Sequence, residues 1–376
     1  MIAVVIPSNR PDRFREWLNA WESIFKKHDV RVYLVEDAPV KTPGLNVWRH
    51  YCHEDIFSPY ILESPFCKGS SAIRSYGFLE AYRDNCEIII SMDDDCLPVS
   101  DCDPINAYWY NFHSKHAVSE YFDIGHTFEM REYMRGFPFR DRLVAEPLIQ
   151  YGGWDNVPDL DARTQLAYKG DILPRKFLRT HIVLPLGCAF TGCGMNVAFK
   201  REATPLMYQP IMGLDRVGYD RWDDIWSGLI AKKICDHLRY PIVINGFASV
   251  NHSRASDPQV NLVKEQGGYE YNDVLWERLR EIPLKGKTII ECYIELVKNF
   301  RPQWFGPAGR IIIRGMKKWL EMFGVPSIEM HSPWDWHDTK ITSPEIVLWP
   351  PPPLPDQEPS SPSESSATSH SDEQDR

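Results

Sequence analysis

The order of patterns at the start of this chain constrains its fold more than anything else in it. Residues 2–6 are an almost wholly apolar run stopped by Pro7, which is how a strand buried on both faces reads. The period then changes. Phe14, Trp17, Leu18, Trp21, Ile24 and Phe25 recur at helical spacing, and a second β-rich run follows at 32–35. Strand, helix and strand in this succession predict a parallel pair, because parallel neighbours need a crossover. A third unit repeats the theme: Ser70 is placed to cap a helix carrying Ile73, Tyr76, Phe78 and Leu79, which leads into the apolar strand 88–92 and straight into Asp93, Asp94 and Asp95. The expectation is an α/β fold, Rossmann-like, with a mostly parallel sheet flanked by helices. The acid cluster then sits at the carboxyl edge, where open α/β sheets bind ligands.

Further along the pattern loosens. Residues 106–176 are irregular and aromatic-rich and read as long substrate loops packed on a sheet. A helix returns at 222–238 with Ile225, Trp226, Leu229, Ile230 and Ile234, followed by a strand-like 241–244; residues 288–323 offer two amphipathic helices, a small C-terminal helical part. After Trp349 the chain reads Pro-Pro-Pro-Pro-Leu-Pro and then Ser, Glu, Asp and Gln, a composition that cannot bury apolar area and is expected to be disordered. The expected division is a ligand-binding catalytic domain at 1–270, a helical appendage at 271–330 and a disordered tail at 331–376.

Composition excludes several function classes. A formal net charge of -10 argues against non-specific nucleic-acid binding, which depends on Lys and Arg neutralising phosphates. No stretch approaches the length of a membrane span, and the opening lacks the basic n-region of a signal peptide. Nine Cys, an odd and scattered set, read as reduced thiols, so a cytoplasmic location is expected. Of the 13 Trp, Trp17, Trp21 and Trp226 fall on apolar helical faces and read as core. Trp154, in the loop-like Gly152-Gly153-Trp154-Asp155, is the best candidate to stack on a sugar.

Residues i and i+2 of an extended segment project the same way, so Asp93 and Asp95 are able to converge on one hard cation and leave room for diphosphate oxygens. The alternative is a solvated acidic turn. Three adjacent carboxylates repel one another without a cation, which favours the metal. Lys68, Ser70 and Arg74 lie at the start of the preceding helix, whose backbone donors and dipole suit a phosphate-bearing ligand; taken singly, Lys68 and Arg74 are as readily ordinary surface charges.

Several distant segments converge on one family. The chain resembles the reversibly glycosylated polypeptides, whose plant members include the UDP-arabinopyranose mutases. The matching stretches are Val5-Ile6-Pro7, Val35-Glu36-Asp37, Ser71-Ala72-Ile73-Arg74 with Gly77, Asp93-Asp94-Asp95-Cys96, Arg135-Gly136-Phe137-Pro138-Phe139, Val157-Pro158-Asp159 with Asp161 and Thr164-Gln165-Leu166, Cys193-Gly194-Met195-Asn196, Arg221-Trp222-Asp223-Asp224-Ile225-Trp226, Ile234-Cys235-Asp236-His237-Leu238 and His252-Ser253-Arg254-Ala255-Ser256. They keep the family's order and cover about residues 1–270.

The resemblance implies a glycosyltransferase-A-like fold and a UDP-sugar substrate. It implies that Asp93 to Asp95 form the metal and nucleotide-sugar motif with His252 as third metal ligand, that Asp37 contacts uracil or ribose, and that Arg135 accepts a sugar, with Arg142 a second arginine beyond it. Asp223 and Asp224 look like the acidic pair that faces the sugar or acceptor; Pro7, Asn196 and Arg254 join the nucleotide-sugar set through their matching stretches. An imidazole beside two carboxylates favours Mn²⁺, whereas Mg²⁺ prefers oxygen alone. A guanidinium is a poor nucleophile while protonated, so Arg135 is equally readable as a bidentate phosphate clamp. The chain departs from the family where Arg140-Asp141-Arg142 replaces the usual Ser-Leu-Arg. Three activities remain open: reversible self-glycosylation with pyranose–furanose interconversion, transfer to an external acceptor, and a non-catalytic partner subunit in a homo- or hetero-oligomer.

Deleting everything after Trp349 is expected to leave the melting temperature unchanged, since such a tail adds no packed core; a clear fall in a thermal denaturation scan would contradict this.

Overall fold

A computed structural model describes residues 1–57, 64–122, 125, 133–142, 144–168, 174–306 and 309–328. The tail expected at 331–376 lies outside the described residues. In chain order the elements are β1 (Ile2–Ser8), α1 (Pro11–Lys27), β2 (Val30–Glu36), β3 (Arg49–Tyr51), α2 (His53–Ile56), α3 (Ala72–Arg83), β4 (Ile88–Met92), β5 (Cys96–Leu97), α4 (Pro104–Phe112), β6 (His116–Ala117), β7 (Val144–Ala145) and β8 (Ile149–Asn156). There follow α5 (Ala162–Ala167), β9 (His181–Val183), β10 (Asn196–Lys200), α6 (Asp223–Leu238), β11 (Ile242–His252), α7 (Pro258–Glu265), α8 (Tyr269–Glu281), α9 (Ile289–Asn299) and α10 (Gly309–Glu321).

The main sheet has the order β3-β2-β1-β4-β10-β8-β11-β5, with β9 also on β11. Strands β3, β2, β1 and β4 are parallel; β10 runs antiparallel between β4 and β8, and β8 and β11 are parallel again. This mixed sheet with helices on both faces is glycosyltransferase-A-like, as the resemblance implies. Residues 106–176 differ from the reading of that stretch as loops: β8, a central strand, lies within it, and Trp154 is on that strand. Its Gly152-Gly153 pair hides the apolar run, because a Cβ on Gly152 would meet the Asn196 amide at 2.2 Å and the Tyr108 hydroxyl at 2.3 Å.

The alternation of β1 shows how the two faces are covered. Val4 and Ile6 pack with Phe14, Trp17, Trp21 and Phe25 of α1 and with Tyr108 and Phe112 of α4. Ala3 and Val5 face the other way, into the cluster that holds Phe78 of α3 and Trp226 of α6. Leu275 and Leu279 of α8, Leu296 of α9 and Trp319 of α10 belong to that same cluster. Among the described residues no helix is long and apolar enough to cross a membrane.

Helix α3 lies against β1 and β2 because Gly77 has no side chain. A Cβ there would come within 2.4 Å of Val5 Cγ1 and 2.8 Å of Val35 Cγ2. Gly77→Ala should therefore destabilise the chain by about 1–3 kcal/mol through overpacking, against the roughly 1 kcal/mol that alanine adds to a helix; urea denaturation measures the balance, and a gain in stability would show that α3 moves freely.

Candidate active site

Strands β1, β2 and β4 all end at one edge of the sheet, and there a cleft of about 660 Å³ opens. The acid turn follows β4 directly. Its charges are met from within the chain. Asp93 ion-pairs with Arg74 on the first turn of α3, and the buried Arg74 also donates to Ser91 Oγ at 2.7 Å and Gly194 O at 2.5 Å. Asp94 is 2 % exposed and accepts from Ser8 Oγ at 2.6 Å and from the Arg10 guanidinium. Asp95 faces Arg10 at 3.4 Å and Arg254 at 3.5 Å. Three arginines thus supply the positive charge that the sequence argument assigned to a metal. Burial pushes the Asp94 carboxyl above its usual range, against the pull of Ser8 and Arg10.

His252 reaches this centre because β11 bends. Its pairing with β8 shifts register between Asn245 and Val250, after which Asn251 and His252 pair with β5. Ser253 N then bonds Asp95 O at 3.0 Å. His252 Nδ1 lies 2.8 Å from Val157 O, so that nitrogen carries the proton and Nε2 is the one left to accept or ligate. Asp93, Asp95 and His252 all line the cleft. Among the described residues, however, no three His, Cys, Asp or Glu are gathered at metal-holding distance. The donor types suit Mn²⁺; Arg10 and Arg254 hold Asp95 in its place.

At one side, Asp37 takes Gly69 N at 2.9 Å and stands 2.6 Å from His53 Nε2, which fixes the turn leading into α3. Ser70 lines the cleft but does not begin the helix. Ser71 is the residue at the N-cap, and its hydroxyl is drawn away to Asp223 rather than capping; Ser70 Oγ accepts from Ala72 N and Met212 N instead.

At the other side, Asp223 and Asp224 open α6. Asp224 accepts from Gly194 N at 2.7 Å and from Ile225 N at 2.9 Å. Burial, and then the charge of neighbouring Asp223, pushes the Asp224 carboxyl up to about 7 despite these two donors. Burial raises Asp223 as well, with the Ser71 bond opposing it. Arg221, immediately before them, holds a left-handed backbone with φ 71° and donates through Nε to Glu265 of α7 at 3.0 Å. Cys193 Sγ is 3.2 Å from Asp159, and burial raises that thiol well above its usual range, so it stays protonated.

The structure therefore brings Pro7, Asp37, Ser70, Arg74, Asp93, Asp95, Asp223, Asp224, His252 and Arg254 to one cleft. Other expected residues lie elsewhere. Lys68 is exposed, its ammonium 5.6 Å from the Phe57 ring. Asp94 sits behind the lining as the anchor of Arg10. Asn196 is spent on the sheet, donating to Gly153 O and Ala248 O and accepting from Tyr108. Trp154 packs on Phe177 with ring centres 5.7 Å apart. Arg135 and Arg142 are outside the lining altogether; Arg142 donates to Phe137 O and lies 3.8 Å over the Phe139 ring. Ser8, Arg10, Arg221 and Glu265 were assigned no role from sequence. Their partners are remote in the chain, and only the stretch containing Arg221 carried any signal.

The family profile described as "Reversibly glycosylated polypeptide" matches residues 1–325. The chain is 30% identical over 342 residues to UDP-arabinopyranose mutase 3 of Arabidopsis thaliana, covering 85% of this chain and 89% of that one. It is 32% identical over 322 residues to UDP-arabinopyranose mutase 1 of Oryza sativa subsp. japonica, covering 79% and 83%. Among solved structures, the mannosyltransferase PcManGT from Pyrobaculum calidifontis in complex with GDP-Man and Mn²⁺ aligns at 12% identity and TM-score 0.34, over 86% of this chain and 72% of that one.

A carboxyl whose folded value lies above its ordinary one binds its proton more tightly folded than unfolded. Its contribution to stability is complete below about pH 4 and is lost as pH rises through about 7. The melting temperature should accordingly fall between pH 5 and 8, and Asp224→Asn should flatten that slope; an unchanged slope would mean that Asp224 titrates as an ordinary carboxyl.

Proposed function

The chain belongs to the reversibly glycosylated polypeptide family, and from that premise we propose that it is a UDP-sugar enzyme. It interconverts pyranose and furanose forms of a UDP-arabinose-like donor by holding the sugar reversibly on Arg135. The observation that carries the reading is the division of charge along the cleft: arginines 10, 74 and 254 stand around the acid turn, and the raised pair Asp223–Asp224 stands next to it.

Pro7, Asp37 and Ser70 border the place for the nucleoside. Arg74, Arg10 and Arg254, with the amino end of α3, suit the diphosphate and stabilise the charge that grows on UDP as the anomeric bond breaks. Asp93, Asp95 and His252 would hold Mn²⁺, with Mg²⁺ the all-oxygen alternative, and the ion would add positive charge against the departing diphosphate. Asp224 takes the proton that a guanidinium sheds on attack. A nitrogen at the anomeric carbon suits a ring change, because its lone pair is able to expel the ring oxygen; re-closure through another hydroxyl needs a group that gives and takes a proton near neutrality, and Asp224 is such a group. Asn196, Trp154 and Asp94 act from behind, by holding strands and Arg10 in place. Lys68 attracts the diphosphate from outside the lining. Nine free cysteines suit a reducing compartment, and we place the enzyme in the cytoplasm.

Transfer to an external acceptor is the second reading. The absence of Arg135 from the residues that line the cleft favours it.

With UDP-arabinopyranose and Mn²⁺ as the only additions, the enzyme should form UDP-arabinofuranose and gain one pentose on Arg135, removable by excess UDP, as read by product chromatography and intact mass. EDTA or Asp95→Asn should abolish both. Turnover should rise with pH through about 7 as the Asp224 carboxylate forms, and Asp224→Asn should lose that limb along with about 10²-fold of the rate. Absence of furanose product and of any adduct, with transfer to added acceptors, would establish the second reading in its place.

A further inference from the structure

We propose that Arg221 and Asp159 grip the sugar by its O2 and O3 hydroxyls, the neighbouring pair that keeps its place while the ring changes. The inference deepens the reading of the cleft as a UDP-arabinose-like site and rests on it. Both residues line the cleft, with side chains 33 % and 34 % exposed, so a ligand is able to reach them. Arg221 spends only Nε, which donates to Glu265 Oε1 at 3.0 Å; among the described residues neither of its terminal nitrogens makes a hydrogen bond. Asp159 Oδ2 accepts from the Cys193 thiol at 3.2 Å, while Oδ1 accepts no hydrogen bond among the described residues. That oxygen stands 3.9 Å from Arg221 Nη2, too far for a direct bond. A donor fork and a carboxylate oxygen left open side by side match two neighbouring hydroxyls, one accepting from the guanidinium and the next donating to the carboxylate.

The pair is held firmly. Asp220 N bonds Lys264 O at 2.7 Å, Arg221 Nε bonds Glu265, and Trp222 Nε1 bonds Glu265 O at 3.1 Å, so consecutive residues are pinned to the end of α7. Glu265 is 4 % exposed, and its other oxygen, Oε2, takes Ala162 N at 2.8 Å and Tyr269 Oη at 3.1 Å. One buried carboxylate therefore positions both Arg221 and the start of α5, just beyond Asp159. Arg221 also holds a left-handed backbone, a strain that collects at ligand sites. The group that handles the proton is close by: Cys193 meets Asp159, and the next residue, Gly194, donates its N–H to Asp224 at 2.7 Å.

The surroundings select the ligand. The Asp224 and Glu265 carboxylates act on Arg221 together with Asp159, which disfavours a phosphate there and suits neutral hydroxyls. An arabinopyranose ring closes through O5 and an arabinofuranose ring through O4. O2 and O3 take part in neither closure, so a grip on them keeps the sugar in register through both forms.

The test is isothermal titration with UDP, UDP-arabinopyranose and its 2-deoxy and 3-deoxy analogues, each with Mn²⁺, beside chromatography of the products. Wild type should bind the intact UDP-sugar about 10- to 100-fold more tightly than either analogue, since each missing hydroxyl strands a charged partner. Arg221→Gln should erase the discrimination against one analogue and Asp159→Ala that against the other, while UDP affinity stays within about twofold. Glu265→Gln, which keeps the shape of the tie but not its charge, should narrow both ratios at the same UDP affinity. Thermal melts confirm that each variant is folded, and the comparison of analogues on wild type needs no variant. Analogues that bind wild type as tightly as the intact sugar overturn the grip, even where furanose product forms. A folded Arg221→Gln that loses UDP and UDP-sugar equally overturns it too. The expected discrimination with no furanose product from wild type upholds the grip and overturns the ring-changing activity alone.

Discussion

Three carboxylates at the end of a strand buried along its whole length have to be neutralised, and most of the site follows from how that is done. Asp93, Asp94 and Asp95 are met by guanidiniums from the loop after β1, the first turn of α3 and the segment after β11. Each pair staples a different part of the chain to the end of β4. Where a pair is buried, as Asp94 is against Arg10, removing one partner leaves an uncompensated charge, so the turn and its inner arginines hold one another in position. The same arrangement sets guanidiniums along the cleft wall. Arg10, Arg74 and Arg254 all line the cleft as well as holding the acid turn.

The second constraint lies at the head of α6. A helix amino terminus welcomes negative charge, yet Asp223 is buried with half-buried Asp224 beside it, and desolvation outweighs both the dipole and the backbone donors. The chain stabilises this arrangement from outside. Ser71 bonds Asp223, Gly194 bonds Asp224, and Gly194 admits no side chain, since a Cβ there would meet Gln209 at 2.7 Å and Asp224 at 3.1 Å. Arg221 accepts a left-handed backbone just before the pair, a cost that its bond to Glu265 helps to offset. A carboxyl near neutrality here is thus a product of tertiary packing, with no local sequence pattern that encodes it.

How much was legible in the sequence follows from the range of each signal. The first βαβ unit, strand β4 with its acid turn, and helix α6 were readable because their apolar periods are local and uninterrupted. Strand β8 was not, since its glycines and half-buried Trp154 and Asp155 break the period, and its place is fixed by β10 and β11, far along the chain. Arg10 gave no signal because its partner is 84 residues away. The neighbours of Asn196 and Trp154 in sequence suggest ligand contacts, whereas the bonds of Asn196 and the ring contact of Trp154 are made inside the scaffold. Residues that bind a ligand and residues that position its binders share the same short stretches, and only the direction of each side chain separates them.

The arginines around the acid turn also bear on what a cation would change. Arg10 and Arg254 both spend contacts on Asp95 at 3.4 and 3.5 Å, looser than the pairing of Arg74 with Asp93. The side chain of Arg254 is 55 % exposed, and an exposed pair of that length contributes little. Asp95 is therefore the carboxylate that is released at least cost, and Arg254 the guanidinium that turns most easily toward a phosphate. Asp94, held by Arg10 and Ser8 and nearly sealed from solvent, keeps its partners through any such exchange. Within one run of three identical residues the middle one then serves the scaffold while the outer two line the cleft, a division set by the turn at 93–96, where Cys96 N bonds Asp93 O at 3.1 Å.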